Sequence, residues 1–161
     1  MTDKPLYYWE DLRVGTVYEL GQITATREET VAFAQQFDPQ PFHLDEEAGR
    51  ASVFGGLSAS GWHTCGMAMR LLVLNLLNQT ASLGSPGIEK LQWLKPVFPG
   101  DTLTARHTIV DARPMRSRPD VGLVLAQTEM FNQAQQKVYT MQAWGMFRRR
   151  HPAPATTQDA A

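Results

Sequence analysis

The stretch SGWHTCGMAMRLLVLNLLNQ, residues 60–79, decides what fold the chain can adopt. It predicts a helix of about 18 residues beginning near Ser60, long enough for five turns. Cys65, Met67, Met69, Leu71, Leu72, Val73, Leu74, Leu76 and Leu77 fall around almost its whole circumference. A helix that is apolar on nearly all sides must be covered on nearly all sides. The Met-rich turns read as core filling, because the flexible thioether suits irregular gaps better than a cofactor box.

The chain beyond this helix is strand-like. After Gly87, IEKLQWLKPVF is ended by PGD, TLTARHTIVD alternates polar with apolar residues, and VGLVLAQTEMF and VYTMQAWGMFRR complete the run. With one or two strands before residue 27, this makes five or six antiparallel strands and one enclosed helix. The fold class is therefore α+β: a curved antiparallel sheet wrapped around one long buried helix. A single domain over residues 1–150 is expected, followed by a Pro/Ala/Thr-rich disordered tail at 151–161.

Bulk properties narrow the partners. Hydrophobic residues make up 43% of the 161 residues and charged residues 19%, with a formal net charge of -1. That balance is globular and gives no general attraction for nucleic acid. No apolar run reaches the roughly 20 residues of a membrane helix, and the opening MTDKPLYYWEDLRVG has no signal-peptide character. Cys65 is the sole cysteine, which suits a reducing, cytoplasmic compartment. Arg148, Arg149, Arg150 and His151 form the one dense basic cluster and read as a solvated strand end.

The chemistry-bearing segment is QQFDPQPFHLDEEAGR, residues 35–50. Thr26, with Glu29 three residues on, opens a short helix that Asp38-Pro39 must end. Asp38 and His43 then stand five positions apart in a Pro39–Pro41 frame, a carboxylate and an imidazole suited to moving protons near neutral pH. Residues 39–58 read as an ordered loop with one helical turn near 46–50, and Asp45, Glu46 and Glu47 as a solvated acidic turn. Ser60 reads as the cap of the long helix, while His63 and His107 read as structural. No helix carries paired ligands at metal spacing, so no metal is expected.

The blocks FDPQPFHLD, FGGLSASGWHT and LQWLKPVFPGDTL, in that order, resemble the MaoC-like dehydratases, a hotdog-fold group that includes (R)-specific enoyl-CoA hydratases. The resemblance covers roughly residues 10–150. It implies a hydro-lyase acting on a 2-enoyl or 3-hydroxyacyl-CoA thioester, with Asp38 and His43 as the water-activating pair. Gly61 implies the backbone N–H that stabilises the enolate oxyanion, at a helix amino terminus where the dipole favours negative charge. An apolar acyl pocket is expected from Phe42, Phe54, Trp62 and Met69. The chain departs from the family pattern at Phe37, Gln40 and Phe42, at Ser60 where many members have His, and at Met69 where some have Ser.

A homodimer or larger homo-oligomer is expected, since the sheet leaves an edge strand to cover. No cofactor is implied beyond the coenzyme A of the substrate, whose nucleotide could meet Arg70, Lys95 or the arginines at 148–150. A hotdog thioesterase and a non-catalytic acyl-thioester-binding domain are the alternatives.

Overall fold

A computed structural model describes residues 6–152. The tail expected at 151–161 lies, from residue 153 onward, outside the described residues. The elements run β1 (Val17–Thr24), α1 (Arg27–Phe37), α2 (Pro41–Leu44), α3 (Glu46–Ala51), α4 (Gly61–Asn75), β2 (Ser82–Trp93), β3 (Thr102–Pro114), β4 (Val121–Phe131) and β5 (Lys137–Arg148). The five strands form one antiparallel sheet in the order β1-β3-β4-β5-β2, so β1 and β2 are its edges.

The period-two pattern decides which face turns inward. Leu103, Ala105, His107 and Ile109 of β3 are buried, and their neighbours in β4, Val124, Ala126, Thr128 and Met130, are buried with them. Met67, Leu71 and Leu72 of α4 pack onto this face with Leu20, Leu103, Met130 and Tyr139. Each fully buried side chain of this size contributes roughly 1.5–3 kcal/mol.

Two sequence expectations change. The long helix is covered on one side and open on the other: His63, Thr64, Met67, Ala68, Leu71 and Leu72 are buried, but Trp62 is 57%, Met69 46% and Leu74 53% exposed. One sheet has a single inner face, and a helix that is apolar all round keeps an uncovered stripe against it. The helix also stops at Asn75, whose side-chain amide donates to the carbonyls of Leu71 and Leu20 at 3.0 and 2.8 Å and ends the run by competing for them.

Strand β2 begins six residues before the predicted Ile88 and ends at Trp93 rather than Phe98. The segment SLGSPG, before the expected start of the strand, pairs with β5 through register shifts, with Gly84 and Gly87 at positive φ. Pro86 is tolerated there because an edge strand has one row of backbone groups with no ladder to complete. Among the described residues no helix is long and apolar enough to cross a membrane.

Candidate active site

Asp38 sits where α1 stops. Its N–H still donates to the Ala34 carbonyl at 2.9 Å, but φ -152° and ψ 66° leave helical space, as a residue before proline must. Upstream, Thr26 caps α1 by accepting from the Glu29 N–H at 3.2 Å, and its hydroxyl donates to the Glu29 carboxylate at 3.1 Å. The capping pair is present with a side-chain partner in place of the Thr26 backbone. The Gln40 N–H donates to the Asp38 carbonyl at 2.7 Å, and Pro41, with its φ already set, starts α2. This one-turn helix, absent from the sequence expectation, carries His43.

The tautomer of His43 is set by its partner. Nδ1 lies 2.7 Å from the Ser58 carbonyl oxygen, which can only accept, so Nδ1 carries the proton in the neutral ring. Nε2 then presents a lone pair 3.4 Å from Asp38 Oδ2. Two acceptors face one another across that gap, an arrangement that suits a water donating one proton to each. Phe42, edge-on at 4.6 Å, and Phe54, stacked at 6.2 Å, wall the imidazole.

Asp38 is held as an anion. Partial burial raises its carboxyl pKa, but hydrogen bonds from Ser60 Oγ to Oδ2 at 2.7 Å and from Gln40 Nε2 to Oδ1 at 2.8 Å, with His43 nearby, outweigh burial and hold it below the ordinary carboxylate value. Ser60 does a second job as the cap of α4, accepting from the Trp62 N–H at 3.2 Å. The Gly61 N–H, the first of the helix, has no hydrogen-bond partner among the described residues.

Glycine at 61 is required for a reason the sequence alone does not give. A Cβ there would lie 2.5 Å from Trp93 Cε2 and 2.7 Å from its Nε1, and that indole N–H donates to the Gly61 carbonyl at 2.8 Å. The indole packs flush on the glycine Cα. Trp62 meets Trp93 edge-to-face at 5.3 Å.

Asp38, His43, Gly61, Phe42, Phe54 and Trp62 line one cavity of about 390 Å³. Met69 does not join them. It lies eight residues, or ~12 Å, further along α4, where it lines a second cavity. Sequence reasoning marks Ser60 only as a cap, and it gives Ser58, Trp93 and Pro96 no role. All four line or support the first cavity. Among the cationic candidates, Lys95 lines this cavity. Arg150 instead pairs with Asp11 at 2.7 Å, and Arg149 donates to the Pro119 carbonyl at 3.0 Å. His63 stacks on Phe33 at 5.1 Å outside the cavity. Asp45 is more than a solvated acid: it caps α3, accepting from the Glu47 and Ala48 N–H groups at 3.0 and 2.9 Å.

Among proteins of known structure, the MaoC-like dehydratase from Rhodospirillum rubrum superposes with a TM-score of 0.81 at 42% identity, over 89% of this chain and 98% of that one. The (R)-hydratase from A. caviae involved in PHA biosynthesis, 24% identical, shares the fold with a TM-score of 0.68 over 84% of this chain and 97% of its own. Mesaconyl-CoA hydratase from Cereibacter sphaeroides is 40% identical over 84 residues, 50% of this chain but 23% of that enzyme. Residues 11–130, from the turn before β1 to the end of β4, match the model of the MaoC like domain, and the chain belongs to that family.

Proposed function

We propose that the protein adds water to a 2-enoyl thioester of coenzyme A, or removes it from the 3-hydroxyacyl thioester. The observation that carries this reading is that a carboxylate oxygen, the His43 imidazole Nε2 and a helix-terminal N–H with no partner among the described residues line one cavity. Water held between Asp38 and His43 gives a proton to Nε2 as its oxygen attacks Cβ. The C=C electrons move towards the thioester, where the Gly61 N–H and the α4 dipole meet the developing enolate oxygen. The proton on Nε2 is then returned to Cα, and the imidazolium is stabilised meanwhile by Asp38. An oxyanion donor of this kind contributes roughly 3–4 kcal/mol to the transition state, and the acid–base pair typically 10²–10⁴ in rate. Lys95 stands at the rim as a counter-charge for the coenzyme A phosphates.

The test is loss of the enoyl-thioester absorbance with crotonyl-CoA and longer enoyl-CoAs. Asp38→Asn and His43→Gln are each expected to lose 10²–10⁴-fold in kcat with unchanged far-ultraviolet circular dichroism. Full turnover in either variant overturns the assignment, and release of free thiol in place of hydration identifies a thioesterase.

The working unit in this reading is a homodimer joined through β2. That strand is an edge, its residues are almost all exposed, and Ile88 is 54% and Trp93 46% exposed beside the open stripe of α4. Antiparallel pairing of residues 82–93 with themselves about a two-fold axis sets Trp93 opposite Ser82 of the partner subunit. The catalytic mouth of one subunit then adjoins the second cavity of the other. A cytoplasmic location completes the proposal, supported by the single free Cys65.

A further inference from the structure

The second cavity, of about 310 Å³, lies between the carboxyl half of α4 and the inner face of the sheet. Its walls include Leu72, Leu77, Val124, Met141 and Phe147, and no Lys, Arg, Asp or Glu lines it among the described residues. Ser82 and Ser85 stand at its β2 edge. His107 of β3 and Thr128 of β4 are a cross-strand pair on its floor, with Nδ1 and Oγ1 2.8 Å apart. The sheet order sets His107 three strands in from β2, ~14 Å from that edge.

His107 is only 8% exposed, and its Nε2 has no hydrogen-bond partner among the described residues. Nε2 is not among the sealed unpaired side-chain atoms of the described residues, so it opens onto the cavity and can pair with a polar group of whatever fills it. Burial depresses the imidazole pKa to about 4, so the ring is neutral at pH 7. The neutral ring and the rotatable Thr128 hydroxyl can between them donate or accept. A carboxylate would find no counter-charge here, and a plain methylene chain would leave the nitrogen unpaired, at a cost.

We infer that this cavity receives the distal part of the acyl chain and that the His107–Thr128 pair selects chains bearing a neutral oxygen, a hydroxyl or ketone, well beyond the reacting double bond. This rests on the acyl-thioester reading and narrows it to oxygenated medium-length chains. A site that hydrogen-bonds a substrate oxygen discriminates against the analogue lacking it more sharply than an apolar pocket discriminates by one methylene.

Binding is the decisive measurement, because it does not need turnover. Saturated acyl-CoAs of equal length, one all-methylene and the others with a single ketone at successive tail carbons, are titrated calorimetrically into the wild-type protein, Thr128→Val and His107→Leu. Wild type is expected to bind one ketone isomer about tenfold more tightly than its parent. Thr128→Val, close in shape and least disruptive to folding, is expected to bring that ratio to about one, as is His107→Leu. Equal or weaker binding of every ketone by wild type, or a preference that persists in both variants, overturns the inference. Crotonyl-CoA, too short to reach the floor, and longer enoyl-CoAs are assayed for hydration in parallel. Hydration without ketone preference sinks only this inference, whereas ketone preference without hydration sinks only the hydratase assignment.

Discussion

Replacing Ser60 by alanine tests the arrangement around Asp38 most directly, because one hydroxyl both caps α4 and holds the carboxylate. Loss of an N-cap costs about 1 kcal/mol. Loss of a hydrogen bond to an ionised, mostly buried carboxylate costs about 1.5–3 kcal/mol. Urea unfolding of Ser60→Ala at pH 7 should therefore show a loss of roughly 2.5–4 kcal/mol with an unchanged m-value. The carboxylate component has a definite pH sense. Asp38 is held below its ordinary value when folded, so its stabilisation is present above the unfolded value near 3.8 and fades as pH falls through the depressed folded value. The gap between wild type and Ser60→Ala should accordingly narrow in strong acid, leaving the cap component. A double-mutant cycle with Asp38→Asn isolates the contact, with an expected coupling of about 1–2 kcal/mol. Coupling below about 0.3 kcal/mol would show that the hydroxyl does not hold the carboxylate and that its conformation is set by the loop alone.

The same geometry makes three further outcomes testable. Gly61→Ala should push the Trp93 indole away and misplace the first N–H of α4, lowering kcat at least 10²-fold; steady-state kinetics near wild type would show that the indole yields freely. Ile88→Asp places a charge on the exposed β2 edge and should give a monomer in sedimentation velocity, with a wild-type-like dimer refuting pairing through that strand. His107, whose folded value is lowered to about 4 from 6.5, should destabilise the protein as pH falls from 6.5 towards 4, by about 3 kcal/mol at the lower end. In denaturant melts across that range, His107→Leu should flatten this slope, and an unaltered slope would assign it to other groups.

Asp38, His43 and Gly61 are legible in the sequence because their convergence is mostly local. A proline-framed loop and one helix start deliver all three, and each boundary has its own residue signal. Trp93 is not legible as a site residue, since it reaches the cavity through the pairing of β2 with β5, which no local pattern encodes; Ser58 is not, since it meets His43 with a backbone carbonyl, a group every residue carries. Ser60 is legible only as a cap; the serine-for-histidine difference at that position is the available hint of its contact with Asp38. Met69 lines a different cavity from Asp38 and His43, because position along a motif does not say which cavity a helix face meets two turns later. The early start of β2 is hidden by Gly84, Pro86 and Gly87, residues that weaken a central strand but suit an irregular edge.

The indole of Trp93 also gives the cavity its own optical probe. Two of the chain's four tryptophans, Trp62 and Trp93, line the cavity in mutual contact, and the Trp93 N–H is bonded to the Gly61 carbonyl. On the proposed reading, an acyl thioester entering this cavity displaces solvent from both rings at once. Intrinsic fluorescence should therefore change on binding and separate occupancy from turnover without any attached label, with the Trp62→Phe/Trp93→Phe double variant as the silent control.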